Sequence, residues 1–194
     1  MQNPDVSLIT RALDAVGELL EEEGEEVAIV VVGGTALNLL GVVERATFDV
    51  DVIARAEGLT AGTLLLRPAS PLPEALNRAA ARVARDFGLD PSWMNSEVSA
   101  QWSQGLPPIT LEETTWRTFG GLTVGLAGRR PMVALKLFAA VDRGPRSVHL
   151  QDLLILAPTD EELDQAADWV KRQDASPNFA GMVEEVIRHV RQRR

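Results

Sequence analysis

Hydrophobic periodicity changes along the chain from helical to extended and back again. Ile9, Leu13, Val16 and Leu20 recur at spacings of four, three and four, one face of a helix. Asn3-Pro4 supplies its start, a capping residue followed by proline at the first helical position. The pattern fades into glutamates around Gly24, which read as a solvated helix end. Val27 to Val32 is then an unbroken apolar run rich in β-branched residues. Its length and composition predict a strand buried on both faces. Phe48 to Ile53 alternates apolar and acidic residues, the period of a strand with one polar face.

Further along, Leu64-Leu65-Leu66 reads either as a short strand or as a packed loop. Pro71-Leu72-Pro73 opens a helix through Leu76, Ala80, Val83 and Phe87, stopped by Gly88. Thr114 to Phe119 and Leu122 to Leu126 flank Gly120-Gly121, a two-residue hairpin signal. Arg129-Arg130-Pro131 begins a helix from Met132 to Asp142. Thr159 and Glu162 have capping-box spacing for a helix from Asp160 to Arg172. A last helix, Phe179 to Arg194, presents Met182, Val183, Val186, Ile187 and Val190 for packing. Strands followed by helices predict an α+β fold, a mixed sheet flanked by helices with a helical C-terminal part. We expect a core over residues 1–156 and a helical extension over 157–194 packed on it.

Composition narrows the setting. The 194 residues carry no cysteine, so any metal is held by oxygen or by histidine. No apolar run reaches the roughly 20 residues that cross a bilayer, and the N-terminus lacks the basic and apolar regions of a signal peptide. A cytoplasmic protein is expected. The net charge of −9 argues against a broad nucleic-acid-coating surface. Locally, Arg129, Arg130, Arg143 and Arg146 bracket one helix, and Arg188, Arg191, Arg193 and Arg194 make the C-terminus basic. The latter reads best as a solvated helix end that suits the dipole.

The chemistry lies between the two predicted strands. The first run stops at Gly33-Gly34-Thr35, where glycine permits a tight turn and close approach of backbone N–H groups to a ligand. Ala36 to Leu40 then reads as a helix closed by Gly41, so the turn opens a helix, a place where phosphate binds well. In the second strand Asp49 and Asp51 share a face. Carboxylates about 7 Å apart along a strand suit one or two Mg²⁺ ions, which take oxygen ligands together with substrate phosphates. A phosphate cradle followed by a metal-binding pair predicts nucleotidyl transfer. The blander reading makes both aspartates solvent-facing strand residues, but Asp is depleted in strands, so two in alternation need a reason.

Gly33-Gly34-Thr35 followed by Arg45-Ala46-Thr47-Phe48-Asp49-Val50-Asp51 resembles the motif of DNA polymerase β-type nucleotidyltransferases. The Arg-x-Thr-x-Asp-Val-Asp form is similar to the AbiEii/MenT-like toxin branch and its uncharacterised bacterial relatives. The resemblance covers about residues 27–156, patchily between two motif blocks. It implies that Gly33 and Gly34 cradle the phosphates of an NTP, that Thr35 donates a side-chain hydrogen bond, and that Asp49 and Asp51 hold Mg²⁺ or Mn²⁺. Arg45 would hold phosphate or pair with one aspartate.

Lys136 is a lone cation in the apolar stretch Ala134 to Ala140. From the residues alone it is either buried with an anionic partner or a snorkelling lysine at the core rim. The resemblance implies a functional lysine that offsets phosphate charge. It likewise implies Asp152, in Asp152-Leu153 after the Arg143–Arg146 link, as a third acid that orients Lys136 or activates the acceptor. Some relatives carry a further acid just before that pair, where this chain has Ser147-Val148-His149. His149 reads as a ligand or base, or, as a lone histidine more often is, as a structural hydrogen bonder. Relatives often carry a Trp-x-Asn stretch like Trp93-Met94-Asn95. Here Trp93 reads as packing and Asn95 as a cap, or the pair as facing substrate.

The resemblance also implies a third carboxylate on a strand, but the segments around Gly120-Gly121 carry none. Two functions follow. One is a Mg²⁺-dependent enzyme moving NMP from an NTP to an acceptor hydroxyl, with tRNA or another RNA end as candidate acceptor. Trp93, Trp102 and Trp116 are the candidates to stack a base there. The alternative is an inactive nucleotidyltransferase-like binding module, for instance partnered by a cognate antitoxin.

Overall fold

The computed structural model describes residues 4–44, 47, 49–60, 63–99 and 105–193. The element order is α1 (Pro4–Glu22), β1 (Val27–Val32), α2 (Gly33–Leu39), β2 (Val50–Thr60), β3 (Thr63–Pro68), α3 (Glu74–Phe87), β4 (Met94–Asn95), β5 (Thr115–Phe119), β6 (Leu122–Leu126), α4 (Arg129–Arg143), α5 (Val148–Leu156), α6 (Asp160–Gln173) and α7 (Pro177–Arg193). The architecture is α+β, as expected: a mixed sheet flanked by helices, with helices at the C-terminal end. Among the described residues no helix is long and apolar enough to cross a membrane. Contacts divide the chain into two compact units, Met1–Trp102 with Thr110–Ala127, and Ser103–Ile109 with Gly128–Arg194.

The first unit is built on a sheet ordered β3-β2-β1-β6-β5, with β4 paired to β2. β1 lies in the middle, antiparallel to β2 and parallel to β6. Its residues Ile29 to Val32 are buried, as a continuous apolar run between two neighbours requires. The Gly120-Gly121 signal forms its hairpin, joining antiparallel β5 and β6. α1 packs on β5 and β6 and against α3, burying Ile9, Leu13, Val16 and Leu20. α3 ends at Gly88, whose φ of 66° is the left-handed conformation that favours glycine.

The acidic strand departs from the sequence reading: it runs from Val50 to Thr60 instead of ending at Ile53. The leucine stretch takes the strand alternative, as the antiparallel partner β3. Backbone pairing there outlasts the apolar alternation. Arg55 Nε donates to the Pro68 carbonyl at 3.1 Å, and exposed Arg67 pairs with Glu57 across the ladder at 3.0 Å. Gly58, at φ 130°, sits where the register slips, so no period-2 signal survives.

The second unit packs α5, α6 and α7 around α4. Phe138 on α4 meets Trp169 on α6 edge-on, with ring centroids 6.3 Å apart, and Phe179 on α7 at 6.1 Å. Trp169 Nε1 donates to the Gly105 carbonyl at 2.8 Å. The capping box forms as read: Thr159 and Glu162 each receive the other's backbone N–H. Glu162 also takes Arg129 at 2.6 Å. Burial pushes its carboxyl up, but the Arg129 and Thr159 hydrogen bonds outweigh this and hold it below the usual range. Arg191 bridges Asp160 at 2.9 Å and Asp164 at 2.8 Å, tying α7 to α6. Met182 does not pack as its spacing suggests. It is exposed, while Val183, Ile187 and Val190 carry the buried face of α7.

Gly17 shows how tightly α1 meets the hairpin. A Cβ there would lie 1.6 Å from the Phe119 carbonyl oxygen, and the Gly17 carbonyl accepts the Gly121 N–H at 2.9 Å. Mid-helix glycine ordinarily costs about 0.5–1 kcal/mol relative to alanine. Gly17→Ala should nevertheless destabilise, by about 1–3 kcal/mol, because it overpacks against backbone. Gly181, mid-α7 with open space around it, is the internal control, and Gly181→Ala should stabilise by about 0.5–1 kcal/mol. Urea midpoints of the two variants should therefore move in opposite directions; a shift of the same sign would refute the close-contact account.

Candidate active site

The first constellation forms where β1 runs into α2 without a connecting loop. The apolar strand ends at Val32, and Gly33 turns the chain at φ 78°. α2 begins at that residue and runs only to Leu39, so Gly33, Gly34 and Thr35 are its first turn. The first-turn N–H groups of a helix lack partners within it.

β2 lies antiparallel beside this turn, with Val32 opposite Asp51 and Val31 opposite Val52. Val50 and Val52 are buried. Asp51, between them, is half-buried, as alternation along a strand demands. Asp49, expected on the strand, instead lies one residue before its start and is exposed. Asp51 reaches Gly33 itself: a Cβ on that glycine would lie 2.2 Å from Asp51 Oδ2. A side chain there would have to push the Asp51 carboxylate aside, and the backbone angle favours glycine as well.

Threonines fix Asp49. The Thr35 hydroxyl, buried in α2, donates to the Asp49 carbonyl, and its single proton is spent on that bond. The Thr47 hydroxyl donates to Asp49 Oδ1 at 3.0 Å. On the other side of β2, β4 runs parallel, with Asn95 beside Asp51 and Asn95 Nδ2 lying 3.5 Å from Asp51 Oδ1. Arg45 and Phe48, both named from the sequence, lie outside the described residues, as does Trp102.

Two carboxylates are a hard, all-oxygen donor set. They suit Mg²⁺, which is typically held by one or two carboxylates plus substrate phosphates. The Asp51 carboxylate itself crowds the place where a Gly33 side chain would begin, so a carboxylate oxygen lies against the turn backbone. Among the described residues no group of three or more His, Cys, Asp or Glu could hold a metal, so the pair has no third acid beside it. Asp49 and Asp51 thus fit Mg²⁺ or Mn²⁺ on the chemistry of their oxygens.

The second constellation lies within the C-terminal unit. Lys136 on α4 and Asp152 on α5 form an ion pair of 2.7 Å, with side chains 6% and 1% exposed. Lys136 is thus fully partnered rather than snorkelling. The α4–α5 link that brings them together ends at Ser147, whose hydroxyl caps α5 by accepting the Leu150 N–H. His149 follows in the first turn, half-buried.

Of the arginines flanking Lys136, Arg129 is engaged with Glu162 and with the Leu156 and Ala157 carbonyls at 2.6 and 3.1 Å. It closes the C-terminus of α5, a use that charge counting does not reveal. Arg143 makes an exposed pair with Asp142 at 3.1 Å. Trp93 is packing: it is buried and its Nε1 donates to the Ala80 carbonyl at 3.0 Å.

Residues 10–64 match the model of a family described as nucleotidyltransferase of unknown function (DUF6036). The match runs from α1 into β3 and includes the Gly33-Gly34 turn and both aspartates. No curated protein and no solved structure matches the chain. The family match supports kinship with nucleotidyltransferases.

Breaking a buried ion pair strands a charge, typically costing about 3–5 kcal/mol, whereas replacing both partners by apolar groups is often neutral. Lys136→Met and Asp152→Leu should each destabilise by about that amount, and the double variant should recover most of it. Denaturant unfolding of the four proteins measures the coupling. Additive losses would mean that the two charges do not depend on each other.

Proposed function

We propose that the protein is a Mg²⁺-dependent nucleotidyltransferase that moves NMP from an NTP to an acceptor hydroxyl. The observation that carries this reading is the contact between the Gly33 turn and Asp51, which joins a phosphate-type helix start to the acidic beginning of β2. The family match over the same residues supports it.

In the reaction the acceptor oxygen bonds to the α-phosphorus while the bond to the β-phosphate oxygen breaks. Pyrophosphate leaves with that electron pair, and the acceptor proton passes to a base. Gly33 and Gly34 would cradle the phosphates, and a side chain at Gly33 would meet the Asp51 carboxylate. Thr35 and Thr47 hold Asp49, and Asp49 with Asp51 would hold the metal. Bound there, Mg²⁺ neutralises phosphate charge and orients the substrate. Arg45, Lys136 and Asp152 enter from the sequence resemblance: Arg45 as a phosphate contact, Lys136 as the cation offsetting phosphate charge, and Asp152 as the acid orienting that lysine. The Lys136–Asp152 ion pair supports the last of these.

The finer reading follows the AbiEii/MenT-like resemblance: a cytoplasmic, toxin-like enzyme with a tRNA or other RNA end as acceptor and a cognate antitoxin as partner. A second reading is a nucleotidyltransferase-like module without activity, and the lack of a third acid beside Asp49 and Asp51 among the described residues favours it.

Incubation with each α-³²P-labelled NTP, Mg²⁺ or Mn²⁺, total RNA and cell lysate separates the two. Transfer of label to an RNA or protein band is expected, and Asp49→Asn or Asp51→Asn should abolish it while the circular dichroism spectrum stays native. No labelled band from the wild type, with Mg²⁺-dependent NTP binding intact, would favour the inactive module. NTP binding undiminished in the double Asn variant would remove both aspartates from the site.

A further inference from the structure

Asn95 lies 44 residues from Asp51 in the chain, and more than a chance contact sets it there. β4 is only Met94–Asn95, too short to hold itself in register, yet several interactions immobilise it. Trp93 just before it is buried and bonded to α3 through Nε1. The Trp93 N–H donates to the Asp90 carbonyl at 2.9 Å, and the Trp93 carbonyl accepts the Val50 N–H at 2.5 Å. Asp90 is itself fixed by the Ser92 N–H and hydroxyl. A bracket from the end of α3 thus sets Asn95 beside Asp51 in parallel register.

The amide's orientation is also determined. Asn95 Oδ1 accepts the Glu97 N–H at 3.1 Å. That bond assigns the oxygen to the Glu97 side, so the Nδ2 donor faces Asp51 Oδ1 at 3.5 Å. Such a bond is long, and site hydrogen bonds are often long before ligand binds and tighten in the complex. The other carboxylate oxygen, Oδ2, is the one against Gly33.

We propose that Asn95 is a positioning residue of Asp51: its amide donor orients the carboxylate and so raises the metal affinity of the Asp49/Asp51 pair. The inference rests on the metal-binding reading of that pair. Partners that orient a metal's ligands typically contribute about 10–100-fold in affinity. An amide suits this position because it donates to a carboxylate without adding a third negative charge.

The test is Mn²⁺ binding to the intact protein without nucleotide, read by water-proton relaxation, with thermal unfolding in EDTA as the fold control. Asn95→Ala removes both the donor and the Glu97 acceptor, and should weaken Mn²⁺ binding about ten-fold. Asn95→Asp keeps an acceptor for the Glu97 N–H but replaces the donor by a charge. It should bind Mn²⁺ more tightly than the wild type while unfolding at a lower temperature in EDTA. A folded Asn95→Ala protein with wild-type Mn²⁺ affinity overturns the proposal. If Asn95→Ala does not fold, wild-type affinity in Asn95→Asp overturns it. Failure of the wild type itself to bind Mn²⁺ is a different result, which removes the metal-binding reading and this inference together.

Discussion

The candidate chemistry depends on one absent carbon. Asp51 Oδ2 occupies the place where any side chain at residue 33 would begin, and residue 33 also has a left-handed backbone angle. The first turn of α2 can therefore come down directly onto the carboxylate edge of β2. Antiparallel pairing of β1 with β2 delivers Asp51 opposite Val32, one residue before the turn. Thr35 reaches back from inside the helix to the Asp49 carbonyl. A helix start and two carboxylates are thus locked together by the sheet register, by one glycine and by one hydroxyl.

Much of this was legible in the sequence because the governing signals were local. The Val27–Val32 run, the glycine turn and the alternation around Val50 and Val52 follow from burial and strand period, and β1 and β2 are adjacent as read. The capping box and the Gly88 stop are equally local. The full length of β2 was not legible, because Glu57 and its cross-strand partner Arg67 are exposed and the hairpin is held by a backbone ladder. Asn95 was ambiguous for another reason. Its cap to Glu97 is local, but its contact with Asp51 spans 44 residues, and two-residue β4 leaves no periodic trace. Thr47 was visible only as a motif position, and Arg129 only as a charge.

Lys136 illustrates what composition cannot decide. Its apolar neighbours left it either snorkelling or buried with a partner, and for the latter both a substrate phosphate and a protein carboxylate would serve. In the folded chain the partner is Asp152, at 2.7 Å with both groups nearly solvent-free. Isolated burial of either charge would be prohibitive, so the pair ties α4 to α5 regardless of any chemistry. A catalytic part for Lys136 has to be reconciled with this bond: a phosphate would share the ammonium with Asp152 or draw it away.

The central claim is that the Gly33 turn and the Asp51 carboxylate form one nucleotide-binding cradle. Gly33 and Gly41 flank α2 at nearly equal backbone angles, φ 78° and 72°, yet a Cβ at Gly41 would meet nothing within 4 Å. Alanine at either position imposes similar backbone strain, and only alanine at 33 strikes the carboxylate. The most direct measurement is calorimetric titration of each Mg·NTP into the wild type, Gly33→Ala and Gly41→Ala. The account predicts that Gly41→Ala binds nucleotide like the wild type and that Gly33→Ala, still folded, does not. Wild-type nucleotide affinity in Gly33→Ala would contradict it.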